Sequence, residues 1–308
     1  MNTIHLVDGE KGGVGKSVVA QAMFYFCLKC LLLSGKNKLF TLDELNQKIS
    51  FFKQNQKSLL RSENEVLESD IYSKYPHIPL VLIDADRSNP DVKNVYSGKF
   101  QDLIIEGFFS ENSKEKSASH TIFEAAVGKI AIINVPSSAK RAIDSWLNIN
   151  DLFGLAEMMS EPIKFTKWFV TNGQKDSLNL FVDSVDEYGG KMTHLLVPNN
   201  YFCDDWSLLN NPPYSDALKK SSILNFPALD EDYATAIRNG KLDYDDAIAG
   251  AGFFRNKLIA RHAIFGFVNK FSTAFEETKQ FDSLIKLGSE LTNTNIVSKT
   301  KNAEAATK

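Results

Sequence analysis

The feature that most constrains this chain is a short apolar strand that runs into a glycine-rich loop and then an apolar helix. Ile4-His5-Leu6-Val7 is followed by Lys11-Gly12-Gly13-Val14-Gly15-Lys16-Ser17, and residues 18–33 are largely apolar. Three glycines let a loop wrap closely enough for its backbone N–H groups to point at phosphate oxygens. The positive end of the helix adds to such an anion site. This order of strand, loop and helix therefore predicts nucleotide binding.

Each residue of the loop has an expected task. Lys16 is predicted to place a positive charge near the outer phosphates, and Ser17 to offer its hydroxyl to Mg²⁺. The predicted ligands are therefore ATP and Mg²⁺. The residues expected to surround the bound nucleotide are Gly12, Gly13, Val14, Gly15, Lys16, Ser17 and Val18.

The loop departs from the standard pattern G-x-x-x-x-G-K-[ST] at two positions. Glu10 stands where the pattern has glycine, and an additional lysine, Lys11, precedes the Gly-Gly pair. This KGGxGK[ST] form resembles the deviant Walker A loop of the ParA/MinD family of P-loop ATPases. In that family the extra lysine reaches across a dimer to the partner's nucleotide, so the resemblance implies an ATP-dependent homodimer. It also implies catalytic roles for Lys11 and Lys16, the alternative for Lys11 being an ordinary solvated loop lysine.

Composition and charge favour a single large α/β domain, which we place at residues 1–288. The chain has 308 residues, 43% of them hydrophobic, and a formal net charge of −3. That charge does not support a strongly basic nucleic-acid binder, although a local basic patch leaves direct DNA binding open.

No apolar run reaches membrane-spanning length and no signal peptide is predicted, so we expect a cytoplasmic protein. Cys27 and Cys30 form C-x-x-C in the first predicted helix, where buried core residues are favoured over a zinc or redox site.

Four further apolar runs predict the strands of a parallel sheet. They cover residues 79–84, 129–134, 166–171 and 192–197. Continuous apolar runs are typical of strands buried on both faces, and helix-like stretches separate them. The predicted fold class is therefore α/β, a doubly wound and mainly parallel sheet flanked by helices, as in P-loop NTPases. Ligands of such sheets bind at the carboxyl ends of the strands, so the polar residues there are the candidates for chemistry.

The first of these strand ends reads Asp84-Ala85-Asp86. It resembles the D-x-D region that follows the second core strand of ParA/MinD ATPases. The resemblance implies that Asp86 positions the attacking water and that Asp84 belongs to the magnesium shell. The alternative is a turn in which aspartate side chains bind nearby backbone, leading into Asn89-Pro90.

The second strand end reads Ile133-Asn134-Val135-Pro136 and departs from the family, most of whose members have aspartate in place of Asn134. An amide can accept a hydrogen bond from a magnesium-bound water, but it brings no charge. The predicted metal-site residues are Ser17, Asp84 and Asn134. The substitution predicts a slow ATPase, or a nucleotide-binding switch with little or no hydrolysis. The alternative for Asn134 is a residue that simply ends a strand.

The last strand end contains Asn199 and Asn200. In the family an asparagine near this point often contacts the base, so either residue is a candidate. Residues 223–229 resemble the short strand and proline that follow in the family. Loop and turn structure is the alternative for both segments.

Three segments lie outside this core pattern. Residues 35–78 are predicted to be an insertion, with a strand at 39–43 and an exposed polar stretch at 46–69. Residues 253–287 are rich in aromatic and basic side chains, and a core-packing helix is favoured over a membrane-touching one. Residues 289–308 are predicted to be a disordered tail.

Taken together, the segments VDGEKGGVGKS, DADRSNPDV and INVPSS most resemble plasmid mobilisation and partition ATPases of the MobD type. The resemblance implies an ATP-dependent dimeric switch in plasmid mobilisation or partition. It further implies a plasmid DNA-processing or centromere-binding protein as the partner. A metabolic P-loop phosphotransferase is the alternative from another class, and Lys11 argues against it.

Overall fold

The computed structural model describes residues 2–34, 38–39, 78–112, 115 and 117–290. The strands are β1 (Thr3–Asp8), β2 (Leu33–Ser34), β3 (Lys38–Leu39), β4 (Leu80–Asp84), β5 (Ile130–Asn134), β6 (Lys164–Thr171), β7 (Thr193–Pro198) and β8 (Ser222–Ile223). Six of them form one parallel sheet in the order β4-β5-β1-β6-β7-β8, while β2 and β3 form a separate antiparallel pair. The four later strands predicted from sequence are confirmed to within two residues at each end.

Helices cover both faces of this sheet. They are α1 (Lys16–Leu32), α2 (Asp91–Phe100), α3 (Ser117–Ala126), α4 (Lys140–Ile149), α5 (Leu152–Met158), α6 (Lys175–Tyr188), α7 (Tyr214–Leu218), α8 (Glu231–Gly240), α9 (Tyr244–Ala249) and α10 (Leu258–Glu277). Short 3₁₀ turns occur at Gln101–Leu103, Ser207–Asn210 and Gly252–Phe254, and residues 282–290 are helical. The predicted α/β class with a doubly wound parallel sheet is therefore confirmed.

Alternation along the strands divides the core into two layers. On β1, Ile4 and Leu6 pack toward α3, α4 and α5, whereas Val7 packs toward α1 and α10. Successive strand side chains point to opposite faces, so a strand covered on both sides must be apolar almost throughout. This explains why the strands appear in the sequence as continuous apolar runs.

An aromatic cluster joins α1 to the C-terminal helices. The Phe26 ring lies 5.6 Å from that of Phe275 and 5.5 Å from that of Phe281. The buried side chains of α10 are Ala260, Ile264, Phe267, Phe271 and Phe275. The core-packing interpretation of residues 253–287 is therefore confirmed, and α1, packed between this layer and the sheet, can be apolar all round.

The cysteine pair of α1 belongs to the same core. Cys27 is fully buried, both thiols are free, and burial raises the pKa of Cys30 to about 12. Thiols held in the neutral form are poor metal ligands and poor nucleophiles. In the described parts of the chain, no three His, Cys, Asp or Glu side chains form a group that could hold a metal ion, so the C-x-x-C pair is not completed to a zinc site.

Two of the predicted outer segments fall largely outside the described residues. Leu39 lies in β3, but residues 40–43 of the predicted strand and the polar stretch 46–69 are not among the described residues. Of the predicted tail, residues 289–290 are helical and 291–308 lie outside the description. Within the described ranges, no helix combines the length and the apolar character needed to cross a membrane.

The strand order places the switch point of the sheet at β1. The chain leaves β1 for β4 and β5 on one side and then continues through β6, β7 and β8 on the other. Crossovers on the two sides of such a strand diverge and leave a crevice at its carboxyl end. The glycine-rich loop follows β1 directly, so the fold puts this loop in that crevice.

A buried histidine on β1 gives a stability prediction. His5 Nδ1 accepts a 3.0 Å hydrogen bond from Trp168 Nε1, and burial lowers the pKa of His5 from 6.5 to about 3. The unfolded chain gains a proton near pH 6.5 and the folded chain does not. The contribution of His5 to the free energy of unfolding is therefore greatest above pH 6.5 and falls as the pH drops toward 3. For one proton, about 2 kcal/mol is lost between pH 6.5 and 5.

His5→Gln keeps an acceptor for Trp168 and removes the titrating group. Urea unfolding at pH 7 and pH 5 should show a smaller loss of stability for this variant than for the wild type. His262→Gln, at an exposed histidine of α10, is the matched control and should behave like the wild type. Equal losses in wild type and His5→Gln would show that His5 does not carry this pH dependence.

Candidate nucleotide-binding site

The glycine-rich loop forms a tight passage between β1 and α1. Gly13 and Gly15 have φ angles of 76° and 93°. This is the left-handed region that glycine enters without strain. The N–H groups of Val18 and Val19 each donate to the Gly15 carbonyl oxygen at 3.1 Å, which begins the helix. Gly12 and Gly13 are exposed, so the phosphate-facing part of the loop is open to a ligand. The helix N-terminus and this open loop together have the features of an anion site.

Lys16 lies across this loop. Its Nζ donates a 2.7 Å hydrogen bond to the Lys11 carbonyl oxygen, and the residue is only 8% exposed. Burial lowers the pKa of Lys16, while the negative charges of Asp8 and Asp86 oppose that shift. A partly desolvated ammonium attracts an anion more strongly than one in water. The position is suited to a phosphate group arriving over the loop.

Ser17, Asp84 and Asn134 are brought together at the ends of three elements. Asp84 and Asn134 are paired in register at the ends of β4 and β5, and Asn134 Nδ2 donates to Asp84 Oδ1 at 2.9 Å. The same amide nitrogen lies 3.4 Å from Ser17 Oγ at the start of α1. All three predicted metal-site residues therefore share one corner of the crevice.

The Asn134 amide leaves one oxygen aimed at no protein group. Its Oδ1 is buried and has no hydrogen-bond partner among the described residues. The orientation is fixed by Asp84, because turning the amide would set oxygen against carboxylate. A hydroxyl and an amide oxygen suit Mg²⁺ or its bound waters, and buried polar atoms normally have partners. The corner therefore fits the predicted ion, for which the Ser17 hydroxyl and the Asn134 oxygen are the candidate donors.

Asp84 also supports the neighbouring helix. Its Oδ2 accepts hydrogen bonds from the backbone N–H groups of Val92 at 3.0 Å and Lys93 at 2.9 Å, in the first turn of α2. Burial raises the pKa of Asp84, against the lowering effect of these bonds and of Asn134. Asp84 therefore connects the corner that contains Ser17 and Asn134 to the first turn of α2, and the sequence did not indicate this connection.

Asp86 forms a turn in which its side chain binds nearby backbone, as in the alternative interpretation from the sequence. Its Oδ1 accepts from the backbone N–H groups of Ser88 and Asn89, both at 3.1 Å. Its charge nonetheless acts on Lys16, so the carboxylate lies near the loop. The turn and a position beside the phosphates are compatible, because the turn uses one carboxylate oxygen.

The two candidate asparagines after β7 have different surroundings. Asn199 is 4% exposed, and its Nδ2 donates to the Val14 carbonyl oxygen at 3.0 Å. Its Oδ1 accepts from the N–H of Tyr201 at 3.1 Å. Asn199 therefore ties the β7 end to the glycine-rich loop. Asn200 instead accepts a 2.9 Å hydrogen bond from Trp206 Nε1.

Residues 223–229 approach the same edge. Phe226 forms a parallel bridge with Asn199, and the N–H of Asn200 donates to the Phe226 carbonyl oxygen at 3.0 Å. Only Ser222–Ile223 of this region forms a strand, β8. The segment that resembles the base-binding region thus lies next to the loop through Asn199.

Lys11 lies at the rim of the loop and points away from Lys16. Its Nζ donates to Gln174 Oε1 at 2.7 Å and forms an ion pair with Asp176, both at the start of α6. The Lys11 side chain is 31% exposed. The sequence contains no spacing pattern that would have linked residues more than 160 positions apart.

Sequence reasoning also missed a buried ion cluster below the loop. Lys167 on β6 lies 3.2 Å from Asp8 Oδ2 and 2.8 Å from Glu10 Oε1. Two signals were available: glutamate at a position where the loop pattern has glycine, and a lysine inside an otherwise apolar strand.

The Asp84–Asn134 contact gives a prediction for the metal corner. Asn134→Asp places two carboxylates side by side and removes a hydrogen bond to a charged group, which lowers the free energy of unfolding by about 1–3 kcal/mol. Mg²⁺ with ATP should restore more stability to this variant than to the wild type, since the added charge attracts the ion. Thermal unfolding with and without Mg²⁺ and ATP measures both effects. A variant as stable as the wild type without ligand would place Asn134 away from Asp84.

Comparisons with protein-family models, with curated proteins and with solved structures find no match to this chain. The functional interpretation therefore depends on the residues of the loop, on the polar groups at the neighbouring strand ends and on the order of the strands.

Proposed function

We propose that this chain is a P-loop ATPase of the ParA/MinD type that acts as an ATP-dependent dimeric switch in plasmid mobilisation or partition. Its partner in this proposal is a plasmid DNA-processing or centromere-binding protein. The main support for nucleotide binding is that four side chains lie near the carboxyl end of β1. They are Lys16, Ser17, Asp84 and Asn134. The type of ATPase and its process follow from the resemblance of the loop and strand-end segments.

In this proposal the loop N–H groups and Lys16 bind the phosphates of ATP. Mg²⁺, when bound, neutralises charge on the outer phosphates, with Ser17 as its protein ligand and the Asn134 oxygen toward its water shell. Asp86 orients a water molecule toward the terminal phosphorus. The oxygen of that water forms a bond to the phosphorus as the bond to ADP breaks, and one proton of the water is released to solvent, so ATP and water give ADP, phosphate and a proton.

Hydrolysis is proposed to be slow. The neutral Asn134 brings no charge to attract the ion, and its amide nitrogen is bound to Asp84 rather than free to move. Both features favour a long-lived ATP-bound state, as a switch requires. Steady-state turnover near the ~10 s⁻¹ of a median enzyme would contradict this part of the proposal.

Dimerisation is proposed to depend on Lys11. In this proposal Lys16 and the loop bind the phosphates of the ATP held by the same subunit. Lys11 instead lies at the rim of the loop and contacts Gln174 and Asp176 on the surface. An exposed ion pair is worth little in water and is easily exchanged. Lys11 can therefore leave Asp176 for phosphates held by a facing copy, and two such contacts make a self-complementary interface.

Replacing Lys16 tests nucleotide binding. Lys16→Ala removes a charge-assisted contact to the outer phosphates and should weaken ATP binding by about tenfold to a hundredfold. Calorimetric titration with Mg²⁺ and ATP measures the change. The matched control is Lys175→Ala, at an exposed lysine that begins α6. This variant should bind ATP like the wild type. Unchanged affinity in Lys16→Ala would reject the loop as the nucleotide site.

Lys11→Ala should keep most of the ATP affinity but remain monomeric, while Asp176→Ala should dimerise at lower protein concentration because Lys11 is released. Light scattering with ADP and with a slowly hydrolysed ATP analogue distinguishes these states. An ATP-dependent dimer that persists in Lys11→Ala would refute the bridging role. A wild type that binds ATP without any nucleotide-dependent dimer would favour a metabolic phosphotransferase instead.

A further inference from the structure

The ion cluster below the loop is closed from solvent. The side chains of Lys167, Glu10 and Asp8 are 6%, 4% and 2% exposed, and Lys167 Nζ lies between the two carboxylates. Burial alone would lower the pKa of Lys167, but the charges of Asp8 and Glu10 outweigh it and raise that pKa. The lysine is therefore held in its charged form inside the protein, which is uncommon without a strong local reason.

The same cluster shapes the entry to the loop. Asp8 Oδ1 accepts from the N–H groups of Gly9 at 2.7 Å and Glu10 at 2.9 Å. Glu10 has a φ angle of 52°, and the N–H of Lys11 donates back to the Gly9 carbonyl oxygen at 2.5 Å, which closes a three-residue turn. A left-handed glutamate is strained and persists only where the surroundings hold it. Lys167 does so by binding the Glu10 carboxylate.

The cluster also sets the charge beneath the anion site. Asp8 acts electrostatically on Lys16, so it lies close enough to influence the phosphates as well. Two carboxylates at this depth would repel a polyanion through a medium of low dielectric constant. Lys167 cancels one of the two charges and ties both side chains to β6.

We propose that Lys167 is a positioning residue for the phosphate site, acting through Asp8 and Glu10 to hold the loop in shape and to limit the negative charge beneath it. This inference rests on the proposed nucleotide binding. It also explains how glutamate can occupy a position where the loop pattern has glycine: Lys167 supplies the contact that stabilises the left-handed turn.

Among the described residues, His194 and Lys140 also interact electrostatically with the cluster. His194 on β7 pairs in register with Lys167, and burial together with the Lys167 charge lowers the pKa of His194 to about 4. Lys140 on α4 acts weakly on Glu10, whose pKa is raised by burial against the effect of Lys167. Removing Lys167 should therefore let Glu10, and to a lesser degree His194, take up a proton more easily.

The experiment compares ATP affinity by calorimetry in wild type, Lys167→Met, Lys167→Met with Glu10→Gln, and Glu10→Gln alone. Lys167→Met should bind ATP at least about tenfold more weakly at pH 8, and part of the loss should be recovered at pH 6 relative to the wild type. The double variant should regain the part of the affinity lost to charge, since the amide removes the charge that repels phosphate, while the part lost with the Lys167–Glu10 contact that holds the loop should not return. Lys99→Met, which also breaks contacts to two carboxylates, is the control and should leave affinity unchanged.

A purely structural role for Lys167 would lower thermal stability without changing the affinity of the folded protein, and that result would overturn the proposal. If Lys167→Met does not fold, Glu10→Gln alone decides: it keeps an acceptor for Lys167 and should bind ATP as well as or better than the wild type. Weaker binding by Glu10→Gln would contradict the charge argument. If the wild type binds ATP and every variant binds it equally well, only the role of Lys167 is rejected. If the wild type binds no ATP, the proposed function is rejected as well.

Discussion

β1 is paired on both edges and covered on both faces, and the positions of the polar groups depend on this constraint. The strand can bury its backbone only between β5 and β6, so its carboxyl end is surrounded by the ends of those strands. Polar groups from neighbouring strands are thereby brought beside the glycine-rich loop. Asn134 at the end of β5 lies 3.4 Å from Ser17, and Lys167 within β6 lies 2.8 Å from Glu10, although these residues are far apart in sequence. Burial of apolar strands thus assembles a cluster of charged and polar groups.

Those groups form a balanced set around the loop. The charge of Asp8 acts on Lys16, Lys167 neutralises part of the charge of Asp8 and Glu10, and Asn134 donates a hydrogen bond to Asp84. An aspartate in place of Asn134 would need a cation to relieve two adjacent carboxylates. With an amide, the corner is satisfied without one, apart from the Asn134 oxygen. In the proposed function, this arrangement would keep the protein stable alone and leave the Asn134 oxygen available when nucleotide and Mg²⁺ bind.

Much of this architecture could be predicted from the sequence because its signals are local. Apolar runs and their spacing indicated the parallel sheet, and the order of strand, loop and helix indicated where the loop would lie. The contacts that hold the loop could not be predicted, since they join residues of different elements. Asn199 is an example: its bond to the Val14 carbonyl oxygen could not be read from the sequence, and the base contact implied by the resemblance stays a prediction. Lys167 and Asp176 are others, because whether a lysine or aspartate meets a partner depends on packing that no local pattern encodes.

The central claim is that the loop after β1 binds the phosphates of ATP with Mg²⁺ at the corner formed by Ser17, Asp84 and Asn134. A crystal structure of the chain with Mg²⁺ and a slowly hydrolysed ATP analogue tests it most directly. The expected result has the outer phosphates within hydrogen-bond distance of Lys16 and the loop N–H groups, and Mg²⁺ bound to Ser17 with a water shared with Asn134. A nucleotide bound elsewhere, or phosphates in the loop with the ion away from Ser17 and Asn134, would contradict the claim.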